Sequence, residues 1–457
     1  MRSNIIRRQQ LGRAIVVASG LYWVAACGDD EPIVAGVDGA IGTSVGGAST
    51  AEATSGAGTL SAGSAGGGQS PGGAADGGAD STTSTVTLST SSGSTSRPDV
   101  VDVTLSFESI RLSGASSSVD FRFVPGHDDE VFVLGHAGAL YHYRLEGQNA
   151  TLLQQAVIPN TLQAKGCGAL SFALDPKFED NHYIYVGHCV DLVTTTLSRY
   201  SLEDFAELGA TEVEILKLTL GWDRDEWHRF GSMGFESDGE TLWVLLGDMF
   251  FPEYAQDITK KNGKLLRIVP SRDPDVGGYT VARGNAFAPG GDSDPDIYAY
   301  GIRSPWRGAR DRFGRFWIGD VGDVTREEVN LATAPGQNFG WRDHEGPCLE
   351  NCEGVRDPIL HYGRSEGKAV WVGELYENAK IDQYYGWFTD NVFYGDFYGE
   401  WIRAVEVNEH GSVLENREVG RLGEVTQWRV APDGYMYALT LPSYLYRAMP
   451  KAVFAEP

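Results

Sequence analysis

Basic residues are scarce in this chain: 37 Lys and Arg stand against 62 Asp and Glu in 457 residues, a formal net charge of −25. No basic run occurs beyond the N-terminus. Nucleic acid and anionic lipid surfaces both reward clustered cations, so neither is an expected partner. Aromatic residues are missing from residues 28–98, which are mostly Gly, Ser, Thr and Ala with one basic residue, Arg97. Such a stretch buries too little apolar surface to offset its chain entropy. Long helical periodicity is nearly absent after Arg97, and only short stretches such as Leu202–Leu208 suit a helix. No HExxH, P-loop, dinucleotide-binding or CxxCH haem signature is present. Gly363-Arg364-Ser365-Glu366-Gly367 spells a nucleophile elbow but lacks the strand-to-helix setting that the elbow requires. Asn149-Ala150-Thr151 is a glycosylation sequon by letters only.

What is there begins with an address. Arg2, Arg7, Arg8 and Arg13 precede a short apolar run, Ala14–Ala26, too short to span a bilayer and shaped like a secretory signal. It closes with Val24-Ala25-Ala26-Cys27, which resembles a bacterial lipobox, in which the Cys is lipidated. The expectation is a signal peptide over 1–26, then Cys27 as lipid anchor opening a disordered tether over 27–98. The tether has a root-mean-square reach of about 45 Å. Gly28 after the Cys favours the outer membrane of the cell envelope. Contact with the membrane is then through the acyl chains alone.

Five cysteines occur, and setting Cys27 aside leaves Cys167, Cys189, Cys348 and Cys352. An exported protein can oxidise them. Local pairing joins Cys167 to Cys189 and Cys348 to Cys352. The alternative is a metal held by Cys348 and Cys352 with His344.

Residues 99–457 repeat one pattern six times: a turn, an alternating strand, a small-residue turn and a second alternating strand. Examples are Asp238-Gly239 leading into Leu242-Trp243-Val244 and then Lys264–Ile268, and Asp433-Gly434 leading into Tyr435–Ala438 and then Tyr444–Arg447. Alternation rich in aromatic and β-branched residues reads as strands, and Asp-Gly pairs as turns. A repeat of this length fits one four-stranded blade. The predicted fold class is therefore all-β, a six-bladed β-propeller with its working site at the central channel. Strands near Val101–Phe107 and Val119–Val124 are expected to complete the last blade.

Three segments are more specific than a generic propeller. The first runs from Gly168 through Asp175-Pro176-Lys177-Phe178 to Tyr183–Val186. The second runs from His228 through Gly231, Asp238-Gly239 and Gly247-Asp248 to Gly263–Ile268. The third holds Tyr300-Gly301-Ile302-Arg303-Ser304-Pro305-Trp306-Arg307, Gly319-Asp320-Val321-Gly322, Glu327–Leu331 and Asn338-Phe339-Gly340-Trp341. Together, and in this order over roughly residues 100–450, they resemble the soluble quinoprotein glucose/sorbosone dehydrogenases. The resemblance implies oxidation of a sugar or polyol hydroxyl with pyrroloquinoline quinone (PQQ) and calcium, electrons passing to an external acceptor. It implies His228 as the base that takes the hydroxyl proton, a task suited to an imidazole. Arg303 becomes the cation beside the quinone oxygens, Asp248 an active-site acid, and Ser304 a cofactor neighbour. Calcium falls to the backbone carbonyls of Gly322 and Asp323, and a second calcium to the Glu328 carboxylate with the backbone near Phe339.

Departures from that pattern are equally visible. A position that is Gln or Glu beside the cofactor in many relatives falls near Gly166, and Ser304 replaces an Asn. A cofactor lysine falls near Phe397, and an arginine pair near Glu424 and Thr426. Arg307, Arg342, Arg403 and Arg429 are the candidate substitutes for the three-carboxylate cofactor. Trp222, Trp227, Trp306 and Trp341 are candidates for sugar stacking. The missing cations keep a second reading open, a non-catalytic propeller binding module of the envelope. A calcium-dependent lactonase is a weaker third, because its ring of acidic or Asn side chains is not the pattern here.

Overall fold

The computed structural model describes residues 100–164, 166–220, 227–377 and 381–455. The expected signal peptide, Cys27, the expected tether over 27–98 and Trp222 lie outside them. Six sheets follow one another along the described residues; five have the expected four strands, while that of blade three has six and includes a parallel pair, Ile297–Tyr300 with Gln337–Asn338. Blade one is built from Ser118–Val124, His127–Gly135, Ala139–Glu146 and Asn149–Val157. Blade two starts with Ala169–Leu174, blade three with Phe230–Phe235, blade four with Pro305–Arg310, blade five with Val370–Leu375 and blade six with Val425–Val430. These first strands touch one another in a closed ring around the channel. The six-bladed propeller expected from the repeat is the observed fold.

The repeat has a local physical cause. In blade three, Asp238 Oδ1 accepts the N–H groups of Glu240 and Thr241 at 2.9 Å each, which turns the chain into the strand Leu242–Leu246. Asp311 does the same for Phe313 and Arg315, and Asp433 for Tyr435. A short acidic side chain mimics a backbone turn and frees the next residues for a strand. The strands then alternate around buried aromatic and branched residues. Trp371 and Trp428 stack at 5.7 Å between blades five and six, with Phe393 5.3 Å from Trp428.

One strand departs from expectation. Val100–Arg111 does complete the last blade, pairing with Tyr444–Phe454 from Val100↔Phe454 to Arg111↔Tyr444. Ser118–Val124 does not; it is the inner strand of blade one. Its burial on both faces, from Val119 to Phe121, suits the channel wall rather than a blade edge. The expected helix near Leu202–Leu208 is a 3-10 turn, Phe205–Thr211, started by Asp204 accepting the Ala206 N–H at 2.8 Å. Both local disulfides are present, Cys167–Cys189 and Cys348–Cys352, with Cα separations of 5.5 and 5.7 Å. Gly363–Gly367 follows the strand Leu360–Gly363 into a turn, not a helix.

Candidate active site

The residues between blades two and three bring His228 to the end of the channel where the inner strands begin. His228 holds a left-handed backbone (φ 57°), as do Met249 and Phe250 facing it (56° and 58°). Non-glycine residues persist in that region only where their surroundings hold them. Gly247 is part of that hold: a Cβ there would lie 2.4 Å from the His228 carbonyl oxygen.

The imidazole is buried and fixed by two contacts. Its Nδ1 lies 2.7 Å from Asp248 Oδ1, and its ring stacks on Phe250 at 4.4 Å. Asp248 Oδ2 accepts the Trp341 indole N–H at 2.8 Å, and Oδ1 also accepts the Phe250 N–H at 2.9 Å. Burial would raise the Asp248 pKa, but the imidazole beside it and Arg303 outweigh burial and hold it below the usual carboxylate range. An ionised carboxylate only accepts, so the imidazole proton sits on Nδ1 and Nε2 keeps its lone pair. Nε2 is buried and has no hydrogen-bond partner among the described residues. Burial and the nearby Arg303 charge lower the His228 pKa, against the opposing pull of Asp248. The ring is thereby kept in the neutral form a base needs.

A cavity of about 50 Å³ adjoins the imidazole. Its apolar wall includes Leu170, Trp227, Phe230, Trp306 and Val321; Ser304 and Arg229 add polar groups. Trp227 covers Gly166 so closely that a Cβ at 166 would lie 2.4 Å from the indole. The Gln or Glu of the relatives is thus replaced by a glycine and an indole together. Arg229, buried and donating to the Leu192 carbonyl at 2.7 Å, was not singled out from the sequence.

Arg303 reaches this site from the blade-four entry. Its backbone N–H and that of Ser304 are both accepted by Asp320, at 2.9 and 2.6 Å. Its guanidinium lies over the Trp341 ring at 5.3 Å. Nη1 donates to the Val321 and Gly322 carbonyls at 3.1 and 2.8 Å, and Nη2 to Asp323 Oδ1 at 2.8 Å. His228, Asp248, Arg303, Ser304, Gly322 and Asp323 are therefore brought to one place.

The metal expectations fare differently. The Gly322 carbonyl accepts from Arg303, and the Asp323 carbonyl accepts from Arg364 Nη2 at 2.6 Å. Those two oxygens face cations already and do not suit a calcium ion. Glu328 stands opposite Asp320 across two strands, and both are buried. Burial and the Glu328 charge raise the Asp320 pKa; burial, with Glu345 and Asp357 nearby, raises that of Glu328 to about 7. Glu328 accepts from Asn330 Nδ2 at 3.0 Å and from the Gly346 N–H at 2.5 Å, while the buried Asn330 Oδ1 has no partner. This oxygen set suits a hard cation better than the loop carbonyls do. Phe339 is packed with Trp243 and Tyr298, its N–H on the Tyr300 carbonyl at 2.9 Å. No group of three or more His, Cys, Asp or Glu with metal-binding geometry occurs among the described residues. Cys348 and Cys352 are closed as a disulfide, which removes the alternative centre with His344.

None of the four arginines offered as substitutes lines the cavity. Arg307 crosses the channel and donates to the carbonyls of Thr426 and Val119 at 2.6 Å each and of Leu170 at 3.2 Å. Arg429 is bound to Asp120 and Glu374 at the far end. Arg403 lies over Trp401 and pairs with Glu366, and Arg342 is exposed beside Asp343. Phe397 is buried in an apolar cluster, and Thr426 donates to the Ser118 and Leu439 carbonyls.

Comparison with known proteins follows the same outline. The family described as Glucose / Sorbosone dehydrogenase matches residues 116–443. The HIPL2 protein of Arabidopsis thaliana is 31% identical over 246 residues, 46% of this chain and 34% of that protein. The chain thus spans about a third of the length of that relative. The Aldose sugar dehydrogenase YliI of Escherichia coli is 25% identical over 230 residues, 47% of this chain and 57% of that one. Among solved structures, the PQQ-bound aldose sugar dehydrogenase from Streptomyces coelicolor superposes with a TM-score of 0.61 at 19% identity, covering 78% of this chain and all of that one. The apo-form of the soluble aldose sugar dehydrogenase from Escherichia coli gives 0.60 at 20% identity, covering 77% of this chain and all of that one. These two likenesses show the fold.

Proposed function

The chain belongs to the glucose/sorbosone dehydrogenase family, and from that premise we propose that it oxidises a sugar or polyol hydroxyl at the His228 cavity. The observation that carries the reading is the buried, unpartnered Nε2 of an imidazole oriented by an ionised carboxylate. A substrate hydroxyl placed in the cavity gives its proton to Nε2. Asp248 stabilises the imidazolium that forms, and Phe250 keeps the ring in plane. Pyrroloquinoline quinone, when bound, supplies the two-electron acceptor that takes the hydride from the same carbon, before an external acceptor reoxidises it. Trp227 and Trp306 are the aromatic faces that would hold its rings, and Arg229 and Arg303 the cations nearest to the site. A tricyclic quinone is larger than the present void, so Trp227, which covers Gly166, is the wall that must turn.

The test is a titration of pyrroloquinoline quinone into the full chain, read by tryptophan fluorescence, followed by a sugar and polyol screen with a dye acceptor. Stoichiometric binding, and turnover lost in His228→Ala, support the reading. A folded chain that leaves its fluorescence unchanged at tens of micromolar quinone sinks it. The non-catalytic binding module is favoured by one observation, the commitment of Arg307, Arg403 and Arg429 to other partners. It predicts that same silent titration.

The reading includes an address: export and lipid anchoring at Cys27 in the cell envelope. The Val24-Ala25-Ala26-Cys27 segment supports it. Radiolabelled palmitate incorporated by the wild type and by Cys27→Ala alike would refute it.

A further inference from the structure

The loop from Val321 to Arg326 runs beside Arg303, and its polar groups are matched one by one. Its amides converge on a single carboxylate: Glu345 Oε1 accepts the N–H groups of Asp323, Val324, Thr325 and Arg326 at 2.7, 3.0, 3.0 and 3.2 Å. Burial would raise the Glu345 pKa, and these donors reverse that and lower it. The carbonyl side of the loop faces two guanidinium groups. Arg303 takes the Val321 and Gly322 oxygens, and Arg364 takes the Asp323 oxygen. Arg364 is itself fixed by the buried Glu327 carboxylate and by the Lys368 carbonyl. The Asp323 carboxylate is clamped by Arg303 as well.

A calcium ion on the Gly322 and Asp323 oxygens would lie at about 2.3–2.6 Å from each. It would then sit within a few ångströms of both guanidinium groups and be repelled by each, in a partly buried setting where screening is weak. The acids nearby are already engaged: Asp323 by Arg303, Glu327 by Arg364, Asp320 by the Arg303 and Ser304 amides and Glu345 by the loop amides. We infer that the cation of this loop is the pair Arg303 and Arg364, and that the Gly322–Asp323 carbonyl pair is closed to a divalent metal. The inference deepens the proposed function by making the charge beside the cofactor part of the chain, so that ligand binding there needs no calcium.

The experiment uses terbium, a luminescent ion that takes calcium's oxygen ligands, with Trp341 beside Arg303 as its antenna. The full chain carries Glu328→Gln, which removes the carboxylate of the separate Asp320–Glu328–Asn330 oxygen set. With both arginines intact, no calcium-displaceable luminescence is expected. Adding Arg303→Ala and Arg364→Ala is expected to raise it at least tenfold. A calcium-displaceable signal in the chain with both arginines intact overturns the inference, and that arm needs no arginine to be removed. Far-ultraviolet circular dichroism establishes that each variant is folded. No quinone or sugar is present, so a failed quinone titration would refute the proposed function without bearing on this result.

Discussion

The same six inner strands enclose two chemically opposite ends of one channel. Where they begin, a cavity of about 50 Å³ is walled by Trp227, Trp306, Leu170 and Phe230 and contains one unsatisfied imidazole nitrogen. Where they finish, an opening of about 710 Å³ is lined by Arg122, Arg310, Arg429, Asp128, Glu374 and Glu377. The charges at the wide end largely answer one another: Asp120 binds Arg429, Gln427 and Ser171, and Arg429 also binds Glu374. Arg307 lies between the two ends, stacked on Trp306, with its hydrogen bonds spent on backbone carbonyls. The proposed chemistry thus belongs to the end where polar groups are few and the His228 Nε2 and Arg303 Nε are left without a hydrogen-bond partner among the described residues. Charge at the other end is mostly paired, Arg310 with Glu236 and Arg429 with Asp120 and Glu374, which is the mark of structural charge.

The largest expected effect that sharpens this contrast is His228→Ala, which should lower kcat by about 10²–10⁴-fold in the dye-linked assay, the usual worth of a general base. The melting temperature should fall as well, because the buried Asp248 carboxylate loses its imidazole partner; a circular-dichroism spectrum establishes that the variant is folded. Removing the divider comes next. Arg307→Met leaves carbonyls in blades one, two and six without a donor, and stability in urea should fall by about 3 kcal/mol, since each orphaned buried acceptor costs roughly 1–3 kcal/mol and burying the charge offsets part of this.

The third test is pH. Because the His228 pKa lies below its ordinary value, kcat/KM should stay flat below pH 6.5, the unperturbed imidazole value, and fall only at more acid pH. Asp248→Asn removes a contribution that raises that pKa. The acid limb should therefore move lower still while the plateau drops about a hundredfold; a limb that moves upward would contradict the assigned pair. The smallest effect belongs to the wide end. Glu374→Gln should leave kcat/KM unchanged and cost about 1 kcal/mol or less, as a partly exposed ion pair does.

The repeat was legible because each blade carries its own local signals, an Asx turn and two alternating strands. The assignment of Val119–Val124 to the last blade failed for a related reason: periodicity identifies a strand but not the sheet that receives it. His228 and Asp248 are 20 residues apart within one blade, and their motif revealed them together. Trp341 meets Asp248 across 93 residues, and Arg364 meets Asp323 across 41; neither contact leaves a local trace. Arg307 was legible as a conspicuous cation but not as a channel-crossing group, because its partners are backbone oxygens, which no side-chain pattern encodes. Glu345 was invisible for the same reason: its partners are four amides of another loop.

The pairing of Val100–Arg111 with Tyr444–Phe454 also sets a schedule. Glu108 and Arg447 face each other across 339 positions, so the ring cannot shut while the ribosome still holds its last strand. Early blades wait, with one flank exposed, for a partner that is synthesised last. Such long-range pairing slows folding and extends the interval in which open edges can aggregate. Closure of the ring is thus tied to one long-range pair of strands rather than to any single blade.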